Sequence, residues 1–368
     1  MSDFTARGLI DGLESGRLNR RSLIKLAASV GVGLVATSAM TRRALAEEQL
    51  SVLSWSGYDI PELAPSYYAK HGKPDFTLMA SDNEGFEKVM AGFKPDLCHH
   101  TSFMLRKLRD AKLIQPIDVN RLEHWKDFFP EIQKVGMAEG ENWIAPCSWG
   151  NSSVIYRKDL VKVEEPSWGL LWDKRYAGRL AGRDASEYVL VAGLYTGAKD
   201  PWAMTDAELA KAKAALEEQK PLLRFYWSSQ TDLEQSLASG EVVAAYGWNA
   251  SVALLKKQGI DMAMLNPKEG LITWTDGLVF YKDHPHSEDL AYEFMNAYMA
   301  PEVGKFLIES YGYGSGNTKA FGMVPPERLD ELGIADPAKI LATSWFQKSE
   351  SPELQKKTQA VLDAVKFG

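Results

Sequence analysis

The sequence predicts an α/β protein of two lobes, each a mixed sheet flanked by helices, and three observations lead to this fold class. Short apolar runs alternate with helical patterns, as where Leu50–Leu53 precedes Ile60–Lys70. Of the 368 residues, 45% are hydrophobic, which is enough for two ordinary cores. Because no Pro/Gly/Ser-rich linker divides the chain, we expect more than one strand to connect the lobes.

The alternation of strands and helices continues through the chain. Two further strand–helix pairs follow the first, with strands at Asp75–Met79 and Pro95–Cys98 and helices at Gly85–Met90 and Phe103–Ala111. The later predicted elements are a helix at Asp206–Lys220, a strand at Val242–Trp248, and helices at Ala250–Gln258, Glu288–Ala300 and Pro301–Ser310. This order indicates a sheet covered by helices.

Two long β-rich runs are the candidate connections between the lobes. They are Asn142–Asp159 and Leu271–Tyr281, and both are too apolar to be surface loops. Crossings at these positions make both lobes discontinuous in sequence. The predicted boundaries are 47–150 with 275–325 for lobe 1, and 151–274 with 326–368 for lobe 2.

The first 46 residues have the pattern of an export signal. Arg20 and Arg21 precede an uncharged stretch from Leu26 to Thr41, and Ala44-Leu45-Ala46 matches a cleavage site. The uncharged stretch is shorter than the ~20 residues that a membrane-spanning helix needs. We therefore expect a twin-arginine signal, export to the periplasm and removal of residues 1–46.

Charge and motif content exclude several classes of function. The formal net charge is −7, and the first 46 residues hold seven Lys and Arg but only three Asp and Glu, so the exported chain is more acidic still. Such a surface repels nucleic acid and anionic membrane. The sequence contains no nucleophile elbow, P-loop, zinc-protease or C-x-x-C motif. We predict a binding protein without a cofactor rather than an enzyme.

Cys98-His99-His100 is the most suggestive group of metal-ligating residues. Neighbours on an extended chain point to opposite faces, so the three side chains do not converge easily, and we predict no metal site. Cys98 and Cys147 would meet an oxidising compartment after export. The sequence is compatible with either one disulfide or two free thiols.

Asp276 stands in the middle of the apolar run LITWTDGLVFY, two residues after Trp274. A buried carboxylate without a partner costs several kcal/mol, so Asp276 must be exposed, neutralised or matched by a cation. The side chains of a strand have a period of two, which places Trp274 and Asp276 on the same face. We interpret them as an aromatic ring and an acid that point together into a cleft.

Other aromatic residues occur where strands are expected to end, namely Trp55, Tyr58, Trp248 and Tyr313. Together with Trp274 and a few carboxylates, they describe an aromatic box for an organic cation. Asp184 and Glu187 open a predicted helix. One interpretation is a capping box, and the other is a pair of carboxylates that share a helix face and present negative charge to the cleft.

The chain resembles the periplasmic spermidine/putrescine-binding proteins of ABC importers in the order and spacing of several segments: LSVLSWSGY, WIAPCSWGNSSVIYRKD, GRDASEY, VAAYGWNAS, KEGLITWTDGLVF and YGYGSGN. The resemblance covers essentially the whole chain after residue 46. It implies a type II-like periplasmic-binding-protein fold whose two lobes close around a polyamine. It also implies delivery to an inner-membrane ABC permease, and we expect a monomer.

By position, the resemblance implies ligand contacts from both lobes: Trp55, Tyr58, Thr101, Phe103, Asp184, Glu187, Trp248, Trp274, Asp276, Tyr313 and Gln347. Asp184 and Glu187 would hold one ammonium group and Asp276 another. Trp248 would stack on the methylene chain. Each ammonium needs a carboxylate because it must lose its water on entering the cleft.

Three departures from the family pattern affect the choice of ligand. Gly57 stands where many members have a carboxylate, Phe103 lacks the usual hydroxyl, and Cys98-His99-His100 replaces an apolar stretch. The retained acids favour a ligand with two cationic ends, and putrescine, spermidine, agmatine and a modified amine all remain open.

Two other functions also remain open. One is a ferric-ion-binding protein of the same fold that uses Tyr311 or Tyr313, because phenolates are hard ligands for a hard cation. The other is an exported hydrolase with a carboxylate pair drawn from Asp184, Glu187 and Asp276.

Overall fold

The computed structural model describes residues 49–368, so the predicted export signal at residues 1–46 lies outside the described residues. The strands of the described part are β1 (Ser51–Trp55), β2 (Asp75–Met79), β3 (Leu97–Thr101), β4 (Ile114–Gln115), β5 (Met137–Ala138), β6 (Glu141–Asn142), β7 (Ala145–Arg157), β8 (Leu180–Arg183), β9 (Leu223–Trp227), β10 (Ala244–Trp248), β11 (Met262–Met264), β12 (Ile272–Tyr281), β13 (Gly314–Ser315) and β14 (Trp345–Phe346). Most of the helices lie between these strands, as the alternating pattern predicts.

The helices are α1 (Pro65–His71), α2 (Asp82–Met90), α3 (Leu105–Asp110), α4 (Pro130–Val135), α5 (Glu187–Tyr195), α6 (Asp206–Gln219), α7 (Gln230–Ser239), α8 (Asn249–Lys257), α9 (Glu288–Tyr298), α10 (Pro301–Phe306), α11 (Pro326–Leu332), α12 (Pro337–Thr343) and α13 (Pro352–Phe367). A π-helical turn at Leu307–Tyr311 follows α10. No helix within residues 49–368 is long and apolar enough to span a membrane.

One long sheet joins two groups of parallel strands through an antiparallel pair. Its main order is β2-β1-β3-β12-β7-β10-β8-β9. β1 runs parallel to β2 and β3, and β8 runs parallel to β9 and β10. Between these groups, β12 and β7 pair antiparallel, with Trp274 opposite Gly150. The two long β-rich runs of the sequence are therefore the two central strands.

β7 and β12 each pass from one hydrophobic core to another. On β7, Trp149 is buried in a core that also contains residues of β1 and α9, whereas Val154 is buried in a core formed largely by residues 154–272. On β12, Ile272 is buried in the core around Val154, and Leu278 is buried in the core around Trp149. A strand that supplies side chains to two cores in succession is a crossing between two packed regions.

The C-terminal part of the chain divides between these cores. Leu329, Leu332 and Leu341 pack with the core around Trp149, whereas Leu354 and Leu362 pack with the core around Val154. The predicted lobe boundaries stay a prediction, and this packing favours a boundary later than residue 325.

Most predicted elements begin and end within a few residues of those in the structure. The helix predicted at Asp206–Lys220 is α6, which begins after Thr205, whose hydroxyl accepts a hydrogen bond from the backbone N–H of Glu208. The prediction of a continuous helix at Ile60–Lys70 is wrong. The chain forms a short 3₁₀ turn and then begins α1 at Pro65, because proline lacks a backbone N–H and fits the first helical position.

Candidate functional site

Asp276 lies at an irregularity between the two crossing strands. The pairing of β12 with β7 shifts between Thr275 and Gly277, so that Cys147 and Ser148 together stand opposite Asp276. Oδ1 of Asp276 accepts hydrogen bonds from the backbone N–H of Ser148 at 3.1 Å and from its hydroxyl at 2.7 Å. The bulge therefore supplies two donors to a carboxylate that is only 5% exposed.

The second oxygen of Asp276 faces His99 on β3. Nε2 of His99 lies 3.4 Å from Oδ2, but neither ring nitrogen of this buried histidine forms a hydrogen bond. The ring instead packs edge-on against Tyr58 at 4.7 Å and Tyr298 at 5.7 Å between ring centroids. Oδ2 thus has a polar neighbour and no aligned hydrogen-bond donor within the described chain.

Four aromatic side chains near Asp276 form a row of successive ring contacts, which we call the aromatic wall. Their order is Tyr58, Tyr311, Tyr313 and Trp274. Successive ring centroids lie 5.2, 6.4 and 4.8 Å apart, and each pair meets edge to face. The Tyr311 hydroxyl donates a hydrogen bond to the backbone carbonyl of Gly57. This wall and Asp276 form the cluster that we call the acid box.

Trp274 lies flat over the backbone of Gly150 on the facing strand. A Cβ atom at position 150 would be 2.2 Å from Cζ2 of Trp274, so only glycine leaves room for the ring. The predicted common face of Trp274 and Asp276 agrees with this geometry. Trp274 contacts the ring of Tyr313. The charge of Asp276 adds to the effect of burial in raising the pKa of the same tyrosine.

Burial and the Asp276 charge keep the neighbouring phenols neutral. Burial, with a smaller contribution from the negative charge of Asp276, raises the pKa of Tyr313 to about 12. The pKa of Tyr58 is also raised well above its usual value, first by burial and then by Asp276. The acid box therefore offers neutral rings and one carboxylate, which suits an organic cation better than a phenolate-ligated metal.

A second cluster contains Trp248 at the end of β10 together with Trp227, Arg183 and Glu187, and we call it the basic box because Arg183 lies against its two indole rings. The Arg183 guanidinium lies 4.2 Å from the ring centroid of Trp227 and 5.1 Å from that of Trp248. Trp227 and Trp248 meet edge to face at 5.1 Å. Arg183 Nε lies 3.6 Å from Oε1 of Glu187. The ring predicted to stack on the ligand thus already borders a cation of the protein.

The capping-box interpretation of Asp184 and Glu187 is wrong. α5 begins at Glu187, and no side chain caps its first turn. The Asp184 carboxylate instead accepts a hydrogen bond from Nζ of Lys366, on the last turn of α13. Both acids are available as charges, but each has a cation of the chain beside it.

Asn249 connects the two clusters. Its carbonyl oxygen accepts a hydrogen bond from the backbone N–H of Asn151 at 3.1 Å, and its amide donates to the carbonyl of Gly312 at 2.6 Å. Asn249 directly follows Trp248, and Gly312 directly precedes Tyr313. The end of β10 is therefore held beside the central strand and the aromatic wall.

The structure does not bring all of the predicted contacts to these clusters. The hydroxyl of Thr101 donates to Asp82 at 2.6 Å, although Thr101 stands opposite Asp276 in the sheet. Half-buried Trp55 and Phe103 pack on the small core that contains Cys98. The backbone N–H of Gln347 bonds to the carbonyl of Thr273, and Gln347 lines a groove with Ser102.

Sequence reasoning missed His99, Ser148 and Arg183. The sequence does offer a signal for His99, because it lies two residues before Thr101 on the same face of a strand. Arg183 directly precedes Asp184 at the end of β8. Only the tertiary pairing of β7 with β12 reveals Ser148 as the donor to Asp276.

The Cys98-His99-His100 side chains point in different directions. Cys98 is buried in the small core, His99 faces Asp276, and Nδ1 of His100 bonds to Asp82 at 2.8 Å. Within residues 49–368, no group of three or more His, Cys, Asp or Glu side chains is arranged to hold a metal ion. Cys98 and Cys147 are both buried free thiols.

Comparison with known proteins identifies the family of the chain. Residues 91–329 match the family of bacterial extracellular solute-binding proteins. The chain is 28% identical to the putrescine-binding periplasmic protein of Escherichia coli K12, over 95% of this chain and 99% of that protein. It is 25% identical to a putrescine/agmatine-binding protein of Pseudomonas aeruginosa, over 95% of this chain and all of that one.

The fold is also that of a solved solute-binding protein. The spermidine/putrescine ABC transporter substrate-binding protein of Streptococcus pneumoniae superposes with a TM-score of 0.77 at 18% identity, over 87% of this chain and 99% of that one. The predicted two-lobed α/β fold is confirmed. The resemblance to periplasmic polyamine-binding proteins that the sequence suggested is confirmed as well.

Proposed function

Because the chain belongs to the bacterial extracellular solute-binding proteins, we propose that it captures a polyamine such as putrescine or spermidine in the periplasm and delivers it to the permease of an ABC importer. The relatives named for putrescine, agmatine and spermidine support this ligand class. Family membership supports a transport role, and the ferric-ion and hydrolase alternatives are not favoured. Export by the twin-arginine route and a monomeric state stay predictions.

The observation that carries the proposal is the position of Asp276 in the acid box. One carboxylate oxygen is fixed by Ser148, while Oδ2 has no aligned hydrogen-bond donor in the described chain. An ammonium group can donate to this oxygen while its methylenes lie against Trp274 and Tyr313. Cation–π contacts between the ammonium group and these two rings would add about 0.5–2 kcal/mol each.

The second ammonium of the ligand is proposed to lie at the basic box, near Glu187 and Asp184, with Trp248 against the methylene chain. Burial raises the pKa of Glu187, and the charge of Arg183 opposes this shift. A second cation near Glu187 would favour its charged form further. Ligand binding at this end is thus coupled to the ionisation of a half-buried carboxylate.

Lobe closure is the proposed route by which both ends of the ligand are bound at once. β7 and β12 link the two cores, and Asp276 lies on one of these strands. A small rotation about the two strands would bring the basic box toward the acid box and exclude water from both. Electrostatic attraction then increases because the effective dielectric constant of a closed cleft is lower.

Thermal unfolding in the presence of amines tests the proposal. Putrescine and spermidine should each raise the melting temperature in a concentration-dependent way, because a ligand that binds only the folded state stabilises it by mass action. The uncharged control 1,4-butanediol, with the same four-carbon chain, should give no shift. Absence of any shift with either amine at millimolar concentration would contradict the proposal, and conversion of the amine to a product would indicate an enzyme.

A further inference from the structure

Arg183 lies in the basic box beside the position proposed for the second ammonium group of the ligand. Its guanidinium borders both Trp227 and Trp248, and its side chain is 20% exposed. The Nε atom is buried without a hydrogen-bond acceptor and lies 3.6 Å from Glu187. A cation held between an aromatic face and a carboxylate uses the same two contacts that an ammonium would use.

The charges at this end nearly balance without a ligand. The carboxylates are Asp184, Glu187 and Glu350; burial raises the pKa of Glu350, and the nearby charge of Glu187 raises it further. The cations are Arg183 beside Glu187 and Lys366 beside Asp184. Three carboxylates and two cations leave one net negative charge, which matches one ammonium group.

We infer that Arg183 is a specificity-determining residue that favours a diamine over a triamine by supplying a cation of the protein where a third ammonium would otherwise bind. The inference rests on the proposed function. The single carboxylate of the acid box accepts one ammonium, and the basic box accepts one more. A triamine such as spermidine would place two cationic groups beside Arg183, and these groups would be repelled by the positive charge of the guanidinium.

A series of amines with one, two and three cationic groups tests this role. Dissociation constants for n-butylamine, putrescine and spermidine are measured by calorimetry on the wild-type protein and on Arg183→Gln. In the wild type, putrescine should bind more tightly than spermidine. In Arg183→Gln, the ratio of the spermidine to the putrescine dissociation constant should fall about tenfold, whereas n-butylamine should be unchanged because it is anchored at Asp276.

Two further variants separate charge from packing. Arg179→Gln removes the same charge at the residue that directly precedes β8. Arg179 is exposed and donates a hydrogen bond to the carbonyl of Gly240, so this variant should leave the ratio of the spermidine to the putrescine dissociation constant unchanged. Arg183→Lys keeps the charge and should keep the wild-type order of ligands.

The outcomes distinguish the inference from the proposed function. Equal changes for all three amines in Arg183→Gln, or tighter binding of spermidine than putrescine by the wild type, would overturn the inference while the protein remains an amine-binding protein. If no amine binds any of the proteins, the proposed function itself fails, and the inference fails with it.

Discussion

Nε2 of His99 lies 3.4 Å from Oδ2 of Asp276, and yet neither nitrogen of the His99 ring forms a hydrogen bond. The adjacent His100 is the opposite case. Its Nδ1 bonds to Asp82 at 2.8 Å and its Nε2 contacts the hydroxyl of Tyr281 at 3.3 Å. Two neighbouring buried histidines therefore differ in how far their polar atoms are satisfied.

This difference predicts unequal effects on stability. His99→Phe keeps the ring packing against Tyr58 and removes two unsatisfied polar atoms, so the free energy of unfolding should stay the same or increase. His100→Phe removes a hydrogen-bond partner of Asp82 and Tyr281, so it should lower the free energy of unfolding by about 1–3 kcal/mol. Urea unfolding of both variants provides the measurement. A loss for His99→Phe as large as that for His100→Phe would mean that His99 is a structural partner of Asp276.

Replacement of Gly150 should displace Trp274 from the acid box. In Gly150→Ala the new methyl group would meet the indole ring, so putrescine affinity should fall by up to about 30-fold, the value of one lost cation–π contact. Trp274→Leu removes the ring directly and should give a similar loss. Gly322→Ala is the control, since no atom lies within 4 Å of its added Cβ. Unchanged putrescine affinity in both Trp274-directed variants would remove Trp274 from the site.

The raised pKa of Glu187 predicts how binding depends on pH. Burial raises this pKa above its usual value of 4.5, so Glu187 takes up a proton at a higher pH than an exposed glutamate does. The ammonium of the ligand pairs with the charged form, and a proton competes with it. Putrescine affinity should therefore decrease as the pH falls from 7 toward 5.

A matched pair of variants assigns this pH dependence to Glu187. Glu187→Gln should weaken binding at pH 7 and reduce the change in affinity between pH 7 and pH 5. Glu217→Gln, at an exposed position that pairs with Lys213 on α6, should behave like the wild type. Calorimetric titrations at several pH values provide the comparison. A pH dependence in Glu187→Gln as steep as in the wild type would show that another group controls it.

The sequence was sufficient for the fold wherever structure depends on local patterns. The long apolar runs became β7 and β12, and the period of two agrees with the positions of Trp274, which contacts Tyr313, and of Asp276, whose charge adds to the effect of burial on the pKa of the same tyrosine. The capping-box interpretation at the start of α5 is wrong because a capping box and a cleft-facing acid have the same local pattern. Only tertiary contact decides between them, and here Lys366, at the far end of the chain, pairs with Asp184.

The electrostatics of the site depend on contacts between distant segments. The donors to Asp276 come from a shift in pairing between two strands 128 residues apart, which no local pattern specifies. Arg183 is adjacent to Asp184 in sequence, but its role follows from the rings of Trp227 and Trp248 that border it. The predicted ligand contacts of Thr101 and Gln347 stay predictions, since both positions bond within the protein.

The most direct test of the central claim is the dissociation constant of putrescine for Asp276→Asn, measured by calorimetry beside that of the wild type. Asparagine can still accept both hydrogen bonds from Ser148, so the fold should be retained while the charge is lost. Asp261→Asn is the control, because it makes the same change at a surface ion pair with Lys158. Loss of a charge-assisted hydrogen bond is worth about 1.5–3 kcal/mol, so Asp276→Asn should weaken binding about 10- to 150-fold, with Asp261→Asn unchanged. Equal affinity of Asp276→Asn and the wild type would contradict the assignment of Asp276 as the ammonium partner.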